Sequence, residues 1–228
     1  MLARAFFLYI LTCLMLAPVQ AETLNIIAER DATLIEDSNG ALANGAGPSL
    51  FAGRTGQSAF ALRRSLIRFD VAAHLPARAL VDRVFLSLYQ TSNSNTALHT
   101  VSVHRVLQDW SEGPAFSSGG GGAPAGPGDV TWMHTDYDLE YWVRTGGHFV
   151  SHPAASEIVG GAGFYTWQSG PGLVSDVRRW LHAPRRNFGW LIKGDEDSPR
   201  SAKRFASREA MNADQHPVLT IEYHLPGE

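Results

Sequence analysis

The chain of 228 residues contains a single cysteine, Cys13. Everything beyond that position is free of thiols, which excludes disulfides and thiolate chemistry there. Only one long apolar run exists, Ala5 to Leu16. It is shorter than the ~20 residues that cross a bilayer, so no integral membrane span is expected. There is no G-x-S-x-G, no phosphate-binding G-x-x-x-x-G-K-[ST] and no H-E-x-x-H. The nine histidines are scattered, His99, His104, His134, His148 and His152 among them, and none has zinc-ligand spacing. Charge of one sign is also lacking. With 19 Lys and Arg against 22 Asp and Glu, the formal net charge is −3, which supplies no overall field for nucleic acid. Any anion binding has to come from local clustering.

What is present begins with a leader. Arg4 precedes the apolar run, and Ala17-Pro18-Val19-Gln20-Ala21 supplies small residues at a V-x-A cleavage site. Residues 1–21 therefore read as a secretory signal peptide, and 22–228 as a single exported domain, secreted, periplasmic or held at the cell surface. About 207 residues suffice for one sizeable core, and without disulfides its stability rests on burial, on metal, or on both.

Strand patterns dominate the rest. Val101, Val103, Arg105 and Leu107 alternate with Ser102, His104 and Val106. Similar short runs cover 23–33, 64–70, 79–89, 164–167, 188–193, 204–207 and 217–224, separated by Gly, Pro, Asn and Asp turns. One helix is expected over Leu173 to Leu181, ended by Pro184. Ser117 to Gly128 (SSGGGGAPAGPG) reads as a mobile loop within the domain. The fold class that follows is all-β: a jelly-roll-like antiparallel β-sandwich with one short helix.

Two strand stretches share an arginine spacing. In Arg63 to Asp70, the period of two sends Ser65, Ile67 and Phe69 to one face and Arg64, Leu66, Arg68 and Asp70 to the other. The two arginines on that second face stand about 13 Å apart. In Lys203 to Glu209, Phe205 and Ser207 oppose Arg204, Ala206 and Arg208. The pattern suggests a basic strip on a sheet face. It either binds an anion or pairs with carboxylates such as Asp70, Glu209, Asp31 or Glu222.

Several motifs occur in a particular order: R-S-L-I-R-F-D, V-H-R-V-x-x-D-W-x-E-G, G-D-V-T-W, W-V-R-T-G-G-H-F, N-F-G-W-L-I and R-F-A-S-R-E. In that order the chain, from about 24 to 224, resembles the DNRLRE domain, grouped with carbohydrate-binding module family 96. Gly147-His148-Phe149 departs from that pattern, which has an aspartate before the phenylalanine, and no enzyme domain is attached. The resemblance implies an extracellular β-sandwich without catalysis of its own that takes acidic polysaccharide such as alginate. Polyuronates carry a carboxylate on every sugar, and guanidinium forks bind carboxylates in bidentate fashion. The expected ligand residues are therefore Arg64, Arg68, Arg204 and Arg208, with Arg54 and Arg63 flanking.

Among aromatics, Trp132, Tyr137, Tyr141 and Trp142 sit in a turn-rich region and either stack on sugar rings or belong to the core, whereas Trp180 and Trp190 fall in core patterns. No cofactor is dictated. A structural calcium is compatible with Asp195-Glu196-Asp197, or with Asp31, Glu36 and Asp37, and solvated turns explain the same residues. Asp109 and Glu112 are the carboxylates most suggestive of a glycosidase pair. Two further readings stay open: a structural or adhesive envelope module that binds protein, and a lyase or hydrolase.

Overall fold

The computed structural model describes residues 21–226. The expected signal peptide, residues 1–21, lies, apart from Ala21, outside the described residues. In chain order the strands are β1 (Glu22–Ile27), β2 (Arg30–Ile35), β3 (Leu42–Ala43), β4 (Ser49–Arg54) and β5 (Leu62–Arg68). Helix α1 (Val71–His74) follows, then β6 (Leu80–Gln90), β7 (His99–Arg105), β8 (Ala123–Pro124), β9 (His134–Asp136), β10 (Glu140–Tyr141), β11 (Ala155–Val159) and β12 (Gly163–Trp167). Helix α2 (Pro171–His182), β13 (Trp190–Lys193), β14 (Lys203–Ala206) and β15 (Val218–His224) complete the fold.

All pairings between these strands are antiparallel. β1, β15, β6, β14 and β4 pair in that order, with β12 also on β6. β5 carries β2, β4 and β13, and β13 leads on to β7 and β11. β4 joins the two layers: Ser49 to Ala52 pair with β14, whereas Gly53 and Arg54 pair with β5. The result is an antiparallel β-sandwich. It contains one more helix than expected, the single turn α1. Asp70 forms the N-cap of that turn, accepting the Ala73 N–H. Asp70 is thus a capping residue and not a partner for the arginines.

Alternation explains the main core. Val84, Leu86 and Leu88 of β6, Leu219 and Ile221 of β15 and Phe205 of β14 face Ile67 of β5, Val101 and Val103 of β7 and Trp190 and Ile192 of β13. Helix α2 adds Leu173, Val177, Trp180 and Leu181, and Trp180 packs 4.5 Å from Trp190 between ring centroids. Trp180 and Trp190 are core residues, as their patterns predict. Asp176 of α2 accepts from Trp190 Nε1 at 2.9 Å and pairs with Arg105 at 2.8 Å. Burial nonetheless raises its carboxyl above the ordinary aspartate value.

The second layer is buried on its other side too. Ala32 and Leu34 of β2, Leu66 of β5, Leu191 of β13 and Val106 pack against Trp110, Val130, Trp132 and Trp142. The segment between β7 and β11 lies over this face. Gly146, at φ +78°, makes the close approach possible: a Cβ there would sit 2.6 Å from Arg64 Nη1 and 2.7 Å from Trp132 Cζ2.

The glycine-rich stretch is not the mobile loop its composition suggests. Ala123–Pro124 pairs with Leu42–Ala43, Gly120 accepts from Arg63 Nε at 2.5 Å, and Ser117 N–H donates to Asn44 Oδ1 at 2.9 Å. Gly122 has φ +76°, and a Cβ there would meet Ile35 Cδ1 at 2.3 Å. At Gly120 and Gly122 glycine serves close packing, against Phe51 and Ile35, whereas Gly119 and Gly121 face open space. Among the described residues, no helix is long and apolar enough to cross a membrane.

Candidate functional site

The four arginines expected to bind ligand occupy four different settings. Arg64 meets Glu196 through two hydrogen bonds, Nε at 2.6 Å and Nη2 at 3.0 Å, and donates to Gly146 O at 2.7 Å. Its guanidinium also stacks 4.9 Å from the Trp132 ring and 5.4 Å from Phe149. Both members of this ion pair are only 13% exposed. Arg68 lies 3.1 Å from Glu29. Arg208 grips Glu112 at 2.9 and 3.2 Å and reaches Glu209 at 2.7 Å. Only Arg204 has no carboxylate within ion-pair distance among the described residues. It donates to Ser49 Oγ at 2.9 Å and Ser118 O at 3.3 Å, and lies 5.8 Å from the Phe51 ring centroid. The residues therefore do not form one free basic strip.

The aromatic candidates divide similarly. Trp132 and Trp142 belong to the second apolar cluster, and Trp142 Nε1 donates to Thr131 O at 3.0 Å. Tyr141 is 57% exposed and packs 4.3 Å from His134. Tyr137 approaches the same imidazole at 5.1 Å.

Arg204 opens onto a cavity of about 410 Å³ at the corner where β4 changes layers. Its walls are Phe51 from β4, Arg63 from β5, Gln90 from β6, Asn95 with its neighbouring serines, and the Gly120–Gly121 backbone. The lining holds two arginines and no carboxylate. Arg63 has the same parity as Ser65, Ile67 and Phe69, so it points inward. Its guanidinium is held by oxygens alone: Gly120 O, Phe60 O at 3.0 Å, Leu62 O at 2.8 Å and Gln57 Oε1 at 3.2 Å. Burial lowers its pKa from the ordinary arginine value, with Glu36 opposing from longer range.

Lys203 completes the charge of this end. It has the parity of Phe205, is fully buried, and donates to Asn95 O, Ala97 O and Gly160 O at 3.1, 2.6 and 2.9 Å. Burial lowers its pKa too. The ammonium fastens the Asn95 turn that forms one wall. Among the described residues, neither Arg63 nor Lys203 has a carboxylate within ion-pair distance.

A second cavity of about 430 Å³ lies beside the acidic turn. Ser102 Oγ stands 2.9 Å from His104 Nε2, and His104 Nδ1 stands 2.9 Å from Val150 O. The pair resembles a nucleophile and its base. Yet the orienting group is a carbonyl, which fixes a tautomer without the charge a carboxylate gives to an imidazolium. Burial lowers the His104 pKa, and Lys193 and Arg64 push the same way.

The acidic turn is occupied by its own chain. Asp195 Oδ1 accepts from Asp197 N and Ser198 N, and Oδ2 meets His99 at 2.9 Å. Ser198 is the main reason its pKa falls below the usual aspartate range. Glu196 serves Arg64 and, at 3.5 Å, Lys193. Glu36 accepts from Leu62 N, and Asp37 accepts from Asn39 N and Ala41 N. Asp109 pairs with Arg30 at 2.8 Å and Glu112 with Arg208, so each carboxylate of that suggestive pair has its own cation.

No family model matches the chain, and no curated protein matches it.

The cavity residues Gln57, Gln90 and Asn95 carried no signal in the sequence. Arg63 and Lys203 did carry one. Both are cations at core-parity positions of strands, where a charge is costly unless the site supplies oxygens for it.

Proposed function

We propose that this chain is an exported, non-catalytic module that binds an acidic polysaccharide. One observation carries the reading: the cavity at the β4 corner is lined by Arg63 and Arg204, neither with a carboxylate partner, beside a partly exposed aromatic ring and several amide and hydroxyl groups. Its size falls in the ~300–1,000 Å³ range of small-molecule sites. A uronate fits this chemistry. Its carboxylate answers the free Arg204 donors, its hydroxyls answer Gln57 and Asn95, and its CH face covers Phe51. Arg204 thus remains a ligand residue in this proposal, while Arg64, Arg68 and Arg208 act through carboxylates of their own. The motif resemblance to the DNRLRE domain points to the same ligand class.

Affinity electrophoresis and calorimetry with alginate, pectate and a neutral glucan test the reading. Retardation by an acidic glycan, lost in Arg204→Ala and kept in Arg64→Lys, is the expected result. The absence of retardation with every acidic glycan overturns it. Release of unsaturated or reducing ends by the purified chain overturns the non-catalytic part.

A second reading, an adhesive module that binds protein, is favoured by one feature. Leu139, Tyr141 and Val143 on and beside β10 are 76, 57 and 70% exposed and form an alternating apolar edge. Val143→Glu abolishing adhesion to envelope material, with glycan binding intact, would favour this alternative.

A further inference from the structure

Away from the cavity, three segments distant in sequence bring carboxylates together. Asp31 comes from β2, Glu112 from the segment that covers the second layer, and Glu209 from the turn after β14. One oxygen from each lies within 4.8 Å of the others. Oxygens in one calcium shell, each at ~2.4 Å from the ion, are at most about 4.8 Å apart, so this spacing is compatible with a single shared ion.

The oxygens differ in how they are used. Asp31 Oδ2 accepts the Arg208 backbone N–H at 2.8 Å. Glu112 Oε1 accepts from Asp31 N at 2.7 Å and from Arg208 Nε at 2.9 Å, and Glu112 Oε2 accepts from Arg208 Nη2 at 3.2 Å. Glu209 Oε1 lies 2.7 Å from Arg208 Nε. Two oxygens have no partner at all. Asp31 Oδ1 and Glu209 Oε2 are both buried and make no hydrogen bond. Asp31 as a whole is 1% exposed, so solvent does not supply the missing partner.

Arg63 and Lys203 are satisfied by carbonyls and Arg64 by Glu196, and although Arg30 Nε and Arg68 Nε are also buried without a hydrogen bond, each of those arginines has a carboxylate within ion-pair distance. Here three carboxylates face one guanidinium. The formal excess of two negative charges, the two unused buried oxygens and the all-oxygen donor set match a hard divalent cation.

We propose that Asp31, Glu112 and Glu209 bind a single divalent cation, calcium in preference to magnesium, which clamps the covering segment and the β14 turn onto β2. Asp31 Oδ1 and Glu209 Oε2 enter its coordination shell, Glu112 contributes through the remaining lone pairs of its carboxylate, and water completes the shell. The site suits a chain with no cysteine beyond Cys13, because the ion ties together segments that a disulfide would otherwise join.

The test is calorimetry and thermal unfolding of the full chain, stripped with chelator and then titrated with calcium or magnesium chloride. One calcium per chain is expected, with a rise in Tm of about 5–10 °C at a hundredfold excess over Kd and a smaller rise with magnesium. Glu209→Gln should abolish the calcium response. In chelator this variant should melt no lower than the wild type, because it removes one of three mutually repelling charges. Asp31→Asn gives the same reading if Glu209→Gln fails to fold. No heat and no Tm shift with the wild type at millimolar calcium overturns the proposal. So does a calcium response that survives in both variants, which would put the ion elsewhere.

Discussion

The β5 face and the β4 corner contrast two ways of using arginine. On the face, Arg64 sits under the covering segment between two aromatic rings, with Glu196 in both forks. At the corner, Arg63 and Arg204 line an open cavity and have only neutral oxygens for partners. Both settings are rich in hydrogen bonds. The difference is charge balance. A guanidinium that meets a carboxylate inside the fold has little left to offer an anion. One held by carbonyls and hydroxyls keeps its full charge. Counting arginines on a sheet face therefore says little about binding until the carboxylates around them are placed.

The largest effect expected from breaking this contrast is Trp132→Ala. The ring is part of the second core and also roofs Arg64, so its loss should cost about 3–5 kcal/mol in denaturant-unfolding experiments. Glycan affinity of the folded fraction should stay unchanged. If Trp132 stacks on sugar instead, affinity falls and stability barely moves.

Arg64→Ala comes next. It leaves Glu196 largely buried and with only Lys193 at 3.5 Å, so roughly 3 kcal/mol of stability should be lost, the low end for breaking a buried pair. Arg64→Lys should recover only part of it, because an ammonium does not make the two-pronged contact. A change of less than about 0.5 kcal/mol by urea titration would mean the face is a surface bridge after all.

Arg204→Ala should show the opposite split. Its contacts to Ser49 and Ser118 are replaceable by water, so about 1 kcal/mol of stability or less is at stake. Removing a charged hydrogen bond to a bound uronate is worth ~1.5–3 kcal/mol, a loss of roughly ten- to a hundredfold in affinity by calorimetry. Equal losses in stability and binding would erase the distinction between corner and face.

The smallest expected effect is pH-dependent and belongs to the covered face. Burial lowers the His104 pKa below the ordinary histidine value of 6.5. In the window just below pH 6.5 the unfolded chain binds a proton that the folded chain does not. The His104 contribution to stability is therefore full above pH 6.5 and falls as pH drops toward the folded pKa, by at most about 1.4 kcal/mol per pH unit. His104→Gln should remove this slope from chemical-denaturation curves at pH 5–7. A slope unchanged in the variant would assign it to another histidine.

Much of the fold can be read in the residues. Alternation at 101–107 predicts β7, the apolar stripe at Val174, Val177 and Leu181 predicts α2, where Leu173 rather than Val174 is the fully buried residue, and Trp180 and Trp190 enter the core as their patterns require. These readings succeed because local period and solvent preference act on the same residues. The candidate site is far less legible. Strand parity puts Arg64 and Arg68 on a face away from the main core, and that placement is right. What it does not convey is that 108–149 returns to cover the face, making Leu66, Trp132 and Trp142 a second core. Likewise, SSGGGG reads as freedom, because composition alone does not show Phe51 lying against Gly120 and Ile35 against Gly122.

The sequence by itself determines the class of fold, the absence of thiols beyond Cys13, the apolar pattern of residues 5–16 and the side of its strand to which each arginine points. Those follow from composition and from the period of two. Tertiary structure alone decides which charges are neutralised. Glu196 stands 132 residues from Arg64, and Glu112 stands 96 from Arg208. Coulomb interactions and desolvation depend on distance in space, and sequence separations of that size carry no information about it.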